Sequence, residues 1–86
     1  MKYPLVSTVI PVYNRQKLVI DAINSAIRQT YPNHEVVVVD NCSTDETFDR
    51  VKELAAKHSK IRVFRNESNV GPVRNWKRGV SEARGE

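Results

Sequence analysis

Val36-Val37-Val38-Val39, entered from Glu35 and left through Asp40-Asn41-Cys42-Ser43, is the stretch on which the fold turns. A sheet face open to water alternates apolar with polar residues, so an unbroken β-branched run bounded by turn residues suits a strand covered on both faces. The reading is a central parallel strand over Glu35 to Val39, and the flanking sequence must supply its covering helices. Upstream, Val19, Ala22, Ile23, Ala26 and Ile27 recur at helical intervals. They predict a first helix from Arg15 to Gln29, with Asn14 as N-cap and the Tyr31-Pro32-Asn33 turn behind it. Downstream, Ser43 and Glu46 have capping-box spacing and predict a second helix running to about His58, its inner face Phe48, Val51, Leu54 and Ala55.

Further outward, Leu5 to Ile10 predicts a strand stopped by Pro11, which lacks the amide a ladder needs. Ile61 to Phe64 predicts a third strand. After the polar Asn66 to Gly71 loop, Pro72 suits a first helical turn, and Val73, Trp76, Val80 and Ala83 form one apolar stripe of a third helix ending near Gly85. Trp76 is expected in the core. His34 and His58 are expected at the surface at element ends, and Cys42 as a small residue in a turn.

The order β-α-β-α-β-α, with crossovers long enough to hold a helix, gives an α/β class: a three-stranded parallel sheet of right-handed units, half of a doubly wound fold. Such folds bind ligands outside the carboxyl ends of their strands, so the loops Pro11 to Asn14, Asp40 to Ser43 and Asn66 to Gly71 should line one site.

Composition narrows the partner. Eighty-six residues, 40% hydrophobic and 28% charged, suit one small domain over residues 1–86. The longest apolar run is far short of the roughly 18 residues a membrane span needs, and no signal-peptide pattern is evident, so a cytoplasmic chain without a membrane segment is expected. One cysteine and two distant histidines offer no metal set. The net charge of +4 raises the question of a polyanionic partner. The basic residues are dispersed, however. Even Arg74, Lys77, Arg78 and Arg84 alternate with apolar residues, as on a solvated helix face, and no nucleic-acid partner is expected. The first loop has no glycine to admit a pyrophosphate, and no Gly-Lys-Ser/Thr cradle exists. The loops offer instead the ring of Tyr13 and the carboxylate of Asp40 at neighbouring strand ends, a pair suited to a nucleobase.

Pro11-Val12-Tyr13-Asn14, Gln29-Thr30-Tyr31-Pro32, Val36 to Asp40 followed by Asn41-Cys42-Ser43-Thr44-Asp45, and Asn69-Val70-Gly71 with Arg74-Asn75 together resemble the start of a family 2 glycosyltransferase of the GT-A, Rossmann-like fold. The likeness covers nearly the whole chain. It implies transfer of a sugar from a nucleotide-sugar to an acceptor hydroxyl, in cell-surface polysaccharide biosynthesis, with the parent associated with the inner face of the membrane. It also implies that Pro11 and Tyr13 flank the base, that Asp40 accepts a hydrogen bond from a ring N–H, and that Arg74 lies close to the nucleotide; Asn14 and Asn41 belong to the same substrate-binding set. An ionised carboxylate only accepts, so Asp40 favours uracil, thymine or guanine over cytosine or adenine, with a UDP-sugar first. Arg74 adds a guanidinium to the positive end of a helix dipole.

The chain also departs from the family. Members typically carry Asp-Asp-Gly-Ser where Asp40-Asn41-Cys42-Ser43 stands here, so altered base contacts are expected. The family's Asp-x-Asp metal motif and catalytic base would follow Arg84-Gly85-Glu86, so the chain is expected to be a truncated, inactive fragment with no catalytic residue and no cofactor of its own. Mg or Mn would serve the parent. A missing fourth strand would leave strand one as an open edge, and self-association through it is expected. The bland alternatives are a capping role for Asp40, an edge aromatic at Tyr13, a solvated charge at Arg74, and, for the whole chain, a nucleotide- or protein-binding module without catalysis.

Overall fold

A computed structural model describes residues 3–29 and 31–85; Thr30 of the first turn and Glu86 lie outside them. The elements run β1 (Val6–Val12), α1 (Gln16–Ile27), β2 (His34–Asp40), α2 (Thr47–Lys57), β3 (Ile61–Arg65) and α3 (Pro72–Glu82). The strands form one parallel sheet in the order β1-β2-β3, with Val6 opposite His34, Val12 opposite Asp40 and Asp40 opposite Arg65. Every residue of β2 is buried, and Val36 to Val39 have no exposed surface, as the valine run predicts.

Alternation along β2 divides its side chains between two layers. Val36 and Val38 join Val12, Val19, Ile23, Ala26, Val51 and Ile61 in the core beneath α1 and α2. Val39 faces α3, which crosses the other side of the sheet so closely that a Cβ on Gly79 would collide with Val9 Cγ1 and stand 3.2 Å from Val39 Cγ2.

Pro11 does not end β1, which runs on to Val12. Val6 N–H donates to Asn33 O and Val12 O accepts from Asn41 N–H, so the even residues of β1 bond to β2. The odd residues, Pro11 among them, turn their backbone to the open edge, where a missing amide breaks no ladder.

The helix starts also differ from expectation. Asn14 does not cap α1, whose N-cap position is Arg15. Its backbone takes φ 48°, a left-handed conformation that asparagine tolerates, and its side chain turns to another loop. The Ser43–Glu46 capping box is not made either. Helix α2 begins at Thr47, whose N–H and hydroxyl donate to Asp45 Oδ1, and Ser43 serves Asp40 instead. Thr47 lowers the Asp45 pKa through those two bonds.

The expected stripe of α3 is not core. Val73, Trp76 and Val80 are 64%, 52% and 46% exposed, while Asn75 and Gly79 face the sheet. Helical period marks which residues share a face, and here the face that fits against β1 and β2 is the one with the small residue. His34, expected at the surface, is buried, its Nε2 2.7 Å from Thr8 Oγ1.

Candidate nucleotide site

Three loops meet at the carboxyl ends of the strands, and hydrogen bonds between side chains and backbone hold them together. In the first, Asn14 N–H donates to Ser43 Oγ at 3.0 Å, Asn14 Oδ1 accepts from Thr44 N–H at 2.8 Å and Asn14 Nδ2 donates to Thr44 Oγ1 at 3.1 Å. The β1–α1 loop is thereby stitched to the β2–α2 loop. The Asp40 carboxylate anchors the second loop. Its Oδ2 accepts from Ser43 N–H at 2.9 Å, its Oδ1 accepts from the Ser43 hydroxyl, and Arg65 Nε stands 3.5 Å from Oδ2. The third loop, 66–71, is tied to Asn41, whose Oδ1 accepts from Val70 N–H at 3.0 Å.

Between these loops lies an open cavity of about 370 Å³ lined by Pro11, Val12, Tyr13, Arg15, Asn41, Asn69, Pro72 and Asn75. Its size falls at the low end of the range for small-molecule sites, roughly 300–1,000 Å³. Tyr13 is 39% exposed and offers an apolar ring to an incoming planar group. Arg15, whose Nη1 donates to Asn14 O at 2.9 Å, brings a positive charge to the same wall.

The structure brings Pro11, Tyr13 and Asn41 of the predicted site onto this cavity and leaves Asn14, Asp40 and Arg74 off it. Strand alternation explains the division. Asn41 follows Val37 and Val39 toward the α3 side, while Asp40 follows Val36 and Val38 to the α1–α2 side, where it has no exposed surface. Asp40 neither lines the pocket nor caps α2; it fixes the turn from which Asn41 projects. Arg74 is exposed on the first turn of α3. Arg15, Asn69, Pro72 and Asn75 line the cavity but were not named as site residues from the sequence, although Asn69 and Asn75 stand in the motifs that carry the family resemblance. Asn69 lies in a loop assigned to the site, but the other three sit at helix starts, and only the direction in which α1 and α3 leave the sheet turns them inward.

Glu35, at the opposite end of β2, holds the chain leaving α3. Its Oε2 accepts from Ser7 Oγ at 2.5 Å and Arg84 N–H at 2.8 Å, and its Oε1 accepts from Arg62 Nη1 at 3.0 Å. Burial works to raise its pKa, but these donors together outweigh it and leave the carboxyl below its ordinary value. Among the described residues, no group of three or more His, Cys, Asp or Glu side chains could hold a metal ion, and no helix is long and apolar enough to cross a membrane. The described residues do not fit a resident divalent cation.

A parallel sheet with helices on both faces and a cavity at the carboxyl ends of its strands defines a ligand-binding α/β class. Within that class, the chain belongs to glycosyl transferase family 2, whose model matches residues 7–86. A glycosyl transferase of Escherichia coli K12 named for colanic acid biosynthesis is 36% identical over 83 residues, covering 96% of this chain and 30% of that protein. Among solved structures, a mannosyltransferase from Pyrobaculum calidifontis in complex with GDP-Man and Mn2+ superposes with a TM-score of 0.88 at 29% identity, covering 99% of this chain and 26% of that one. TarS residues 1–349 of S. aureus, in complex with UDP, superposes with a TM-score of 0.81 at 36% identity, covering 95% of this chain and 25% of that one. The chain spans 13–34% of the length of the curated relatives it matches.

Proposed function

We propose that this chain is the N-terminal, nucleotide-binding part of a glycosyltransferase that moves a sugar from a nucleotide-sugar, a UDP-sugar first, to an acceptor hydroxyl. The observation that carries the reading is the cavity at the ends of β1 and β2 with Pro11, Tyr13 and Asn41 on its wall. In this reading, the base lies against Tyr13 and Pro11, while Asn14 shapes the loop that presents them. Asp40 has no exposed surface and lies off the cavity, so in this reading it takes a ring N–H only if the turn after β2 rearranges to uncover a carboxylate oxygen. Arg15, on the cavity wall, favours the charged phosphates, and Arg74, exposed on the first turn of α3, is proposed to approach them.

The acceptor proton and the departing diphosphate require a base and a divalent cation, Mg or Mn, which are proposed to come from the longer parent; the chain's own residues bind and orient. The same division makes the 86 residues alone inactive in transfer. The parent is proposed to work in the cytoplasm or at the inner face of the membrane.

Calorimetric titration with UDP and with GDP tests the reading. Binding is expected, and Tyr13→Ala should weaken it by roughly 5- to 150-fold, the equivalent of about 1–3 kcal/mol for loss of one base–aromatic stack. No heat with either nucleotide, or full affinity without the ring, would refute it.

A further inference from the structure

We propose that the open edge of β3 is a docking site for an extended acidic segment of a partner protein, which adds to the sheet between two cationic rims. β3 contributes no residue to the cavity, so this reading and the nucleotide reading stand or fall separately.

Lys60 O accepts from Val36 N–H and Asn66 N–H donates to Asp40 O, so the even residues along β3 bond to β2. The odd residues turn their peptide groups outward. Ile61 N–H is taken by His58 O at 3.1 Å, which leaves Ile61 O and both backbone groups of Val63 and Arg65 along the open edge. Outward groups at alternate residues are what an added strand pairs with.

Both sides of this edge carry an aromatic ring with cations against it. On the α2 side, Arg65 Cζ lies 4.8 Å and Lys52 Nζ 5.3 Å from the centroid of Phe48. On the α3 side, Arg62 Cζ lies 5.1 Å and Arg78 Cζ 5.6 Å from the centroid of Phe64. A ring face attracts a cation within about 6 Å, so the two aromatics hold positive charge beside the exposed backbone.

That charge is only partly spent inside the molecule. Arg62, Arg65 and Arg78 pair with Glu35, Asp40 and Glu82, but Glu35 and Asp40 are buried, and a guanidinium has further N–H donors to offer. Lys52 and Lys60 are exposed and have no acidic partner among the described residues. Glu46 and Glu53 pair with Arg50 instead, and Asp49 stands in the first turn of α2, where the helix dipole favours it. A second copy joined edge to edge would set like charges opposite each other, whereas an acidic strand meets opposite charge on both rims. Strand alternation sends neighbouring side chains to opposite rims, so the segment that fits carries acids at adjacent positions.

The probe is the acetylated, amidated heptapeptide Val-Glu-Glu-Val-Glu-Glu-Val, titrated into the whole chain at about 50 mM salt, with amide shifts and hydrogen exchange read by NMR. At saturation, the amides of Val63 and Arg65 should exchange at least about tenfold more slowly. The same peptide with lysine for glutamate should bind at least about tenfold more weakly, and added salt should weaken the glutamate peptide. Lys52→Glu with Lys60→Glu, both at exposed positions, should raise its Kd at least about fivefold. Val63→Pro, which removes one outward amide as Pro11 does in β1, should do the same. No binding, equal binding of the two peptides, or binding that leaves Val63 and Arg65 unprotected overturns the proposal. So does protection of those amides that grows with protein concentration before any peptide is added, which would put a second copy on the edge. Should Val63→Pro fail to fold, the two lysine substitutions and the protection of Arg65 N–H decide.

Discussion

Glu35 shows how one side chain can tie distant parts of the chain together and make the tie depend on pH. It receives donors from β1, β3 and the segment after α3. A carboxyl whose folded pKa lies below its unfolded value, ~4.3, contributes stability at neutral pH that is lost as the pH falls through the folded value. Glu35→Gln should therefore cost about 1–3 kcal/mol at pH 7 and flatten the loss of stability between about pH 5 and pH 3. Urea unfolding of both proteins at several pH values checks this, and parallel acid curves would show that Glu35 is not the titrating tie. Cys42 illustrates a second residue-scale effect. Its φ of 63° is a left-handed conformation that glycine adopts freely, and the family pattern has glycine there. Cysteine accepts the same turn with its Sγ 3.6 Å from Glu67 O.

At the scale of elements, α3 is the piece whose sequence pattern misleads. Three large apolar residues point outward and a glycine points in, because closeness to the sheet matters more than apolar count where the helix crosses Val9 and Val39. Alanine is worth about 1 kcal/mol more than glycine in an isolated helix. Gly79→Ala should nevertheless destabilise the chain by about 1–3 kcal/mol, since the new methyl group would collide with Val9, a β-branched residue with little rotamer freedom. The midpoint of denaturant unfolding is the measurement, and a rise in midpoint would mean that α3 does not sit this close. The same helix contributes Asn75, which donates to Val39 O and accepts from Asn66 Nδ2, to the pocket wall, so its approach to the sheet bears on the site as well as on the core.

For the molecule as a whole, β1 is an edge strand whose odd residues present their backbone outward. The segment after α3 meets one end of it, where Gly85 N–H donates to Ser7 Oγ at 2.9 Å and a Cβ on Gly85 would collide with Leu5 O. Helix α3 packs on the same strand and leaves Val73, Trp76 and Val80 exposed. An open parallel edge beside a helix with apolar side chains in solvent is a template for pairing. We propose that the 86-residue chain self-associates through it. Sedimentation velocity should show a mass that rises with concentration, and a strictly monomeric profile at high concentration would count against the proposal.

The valine run, its turn and the helical periods around it were enough to derive six elements, their order and the parallel sheet, because four consecutive β-branched residues leave a central strand as the economical solution. The loops that meet at the site were legible for the same reason: in a β-α-β-α-β-α chain, every strand ends on the same side. Individual partners were not legible. Ser43 and Asn14 both carry good capping chemistry, yet each bonds instead across to the other's loop, where local spacing has no reach. Trp76, expected in the core, lies outside it and Gly79 faces the sheet instead, because the distance between a helix and a sheet is a property of both. The sequence by itself determined topology, since periodicity and turn chemistry act within a few residues. Only the tertiary structure decided that Asn41 rather than Asp40 faces the pocket, since that depends on which layer each strand residue meets.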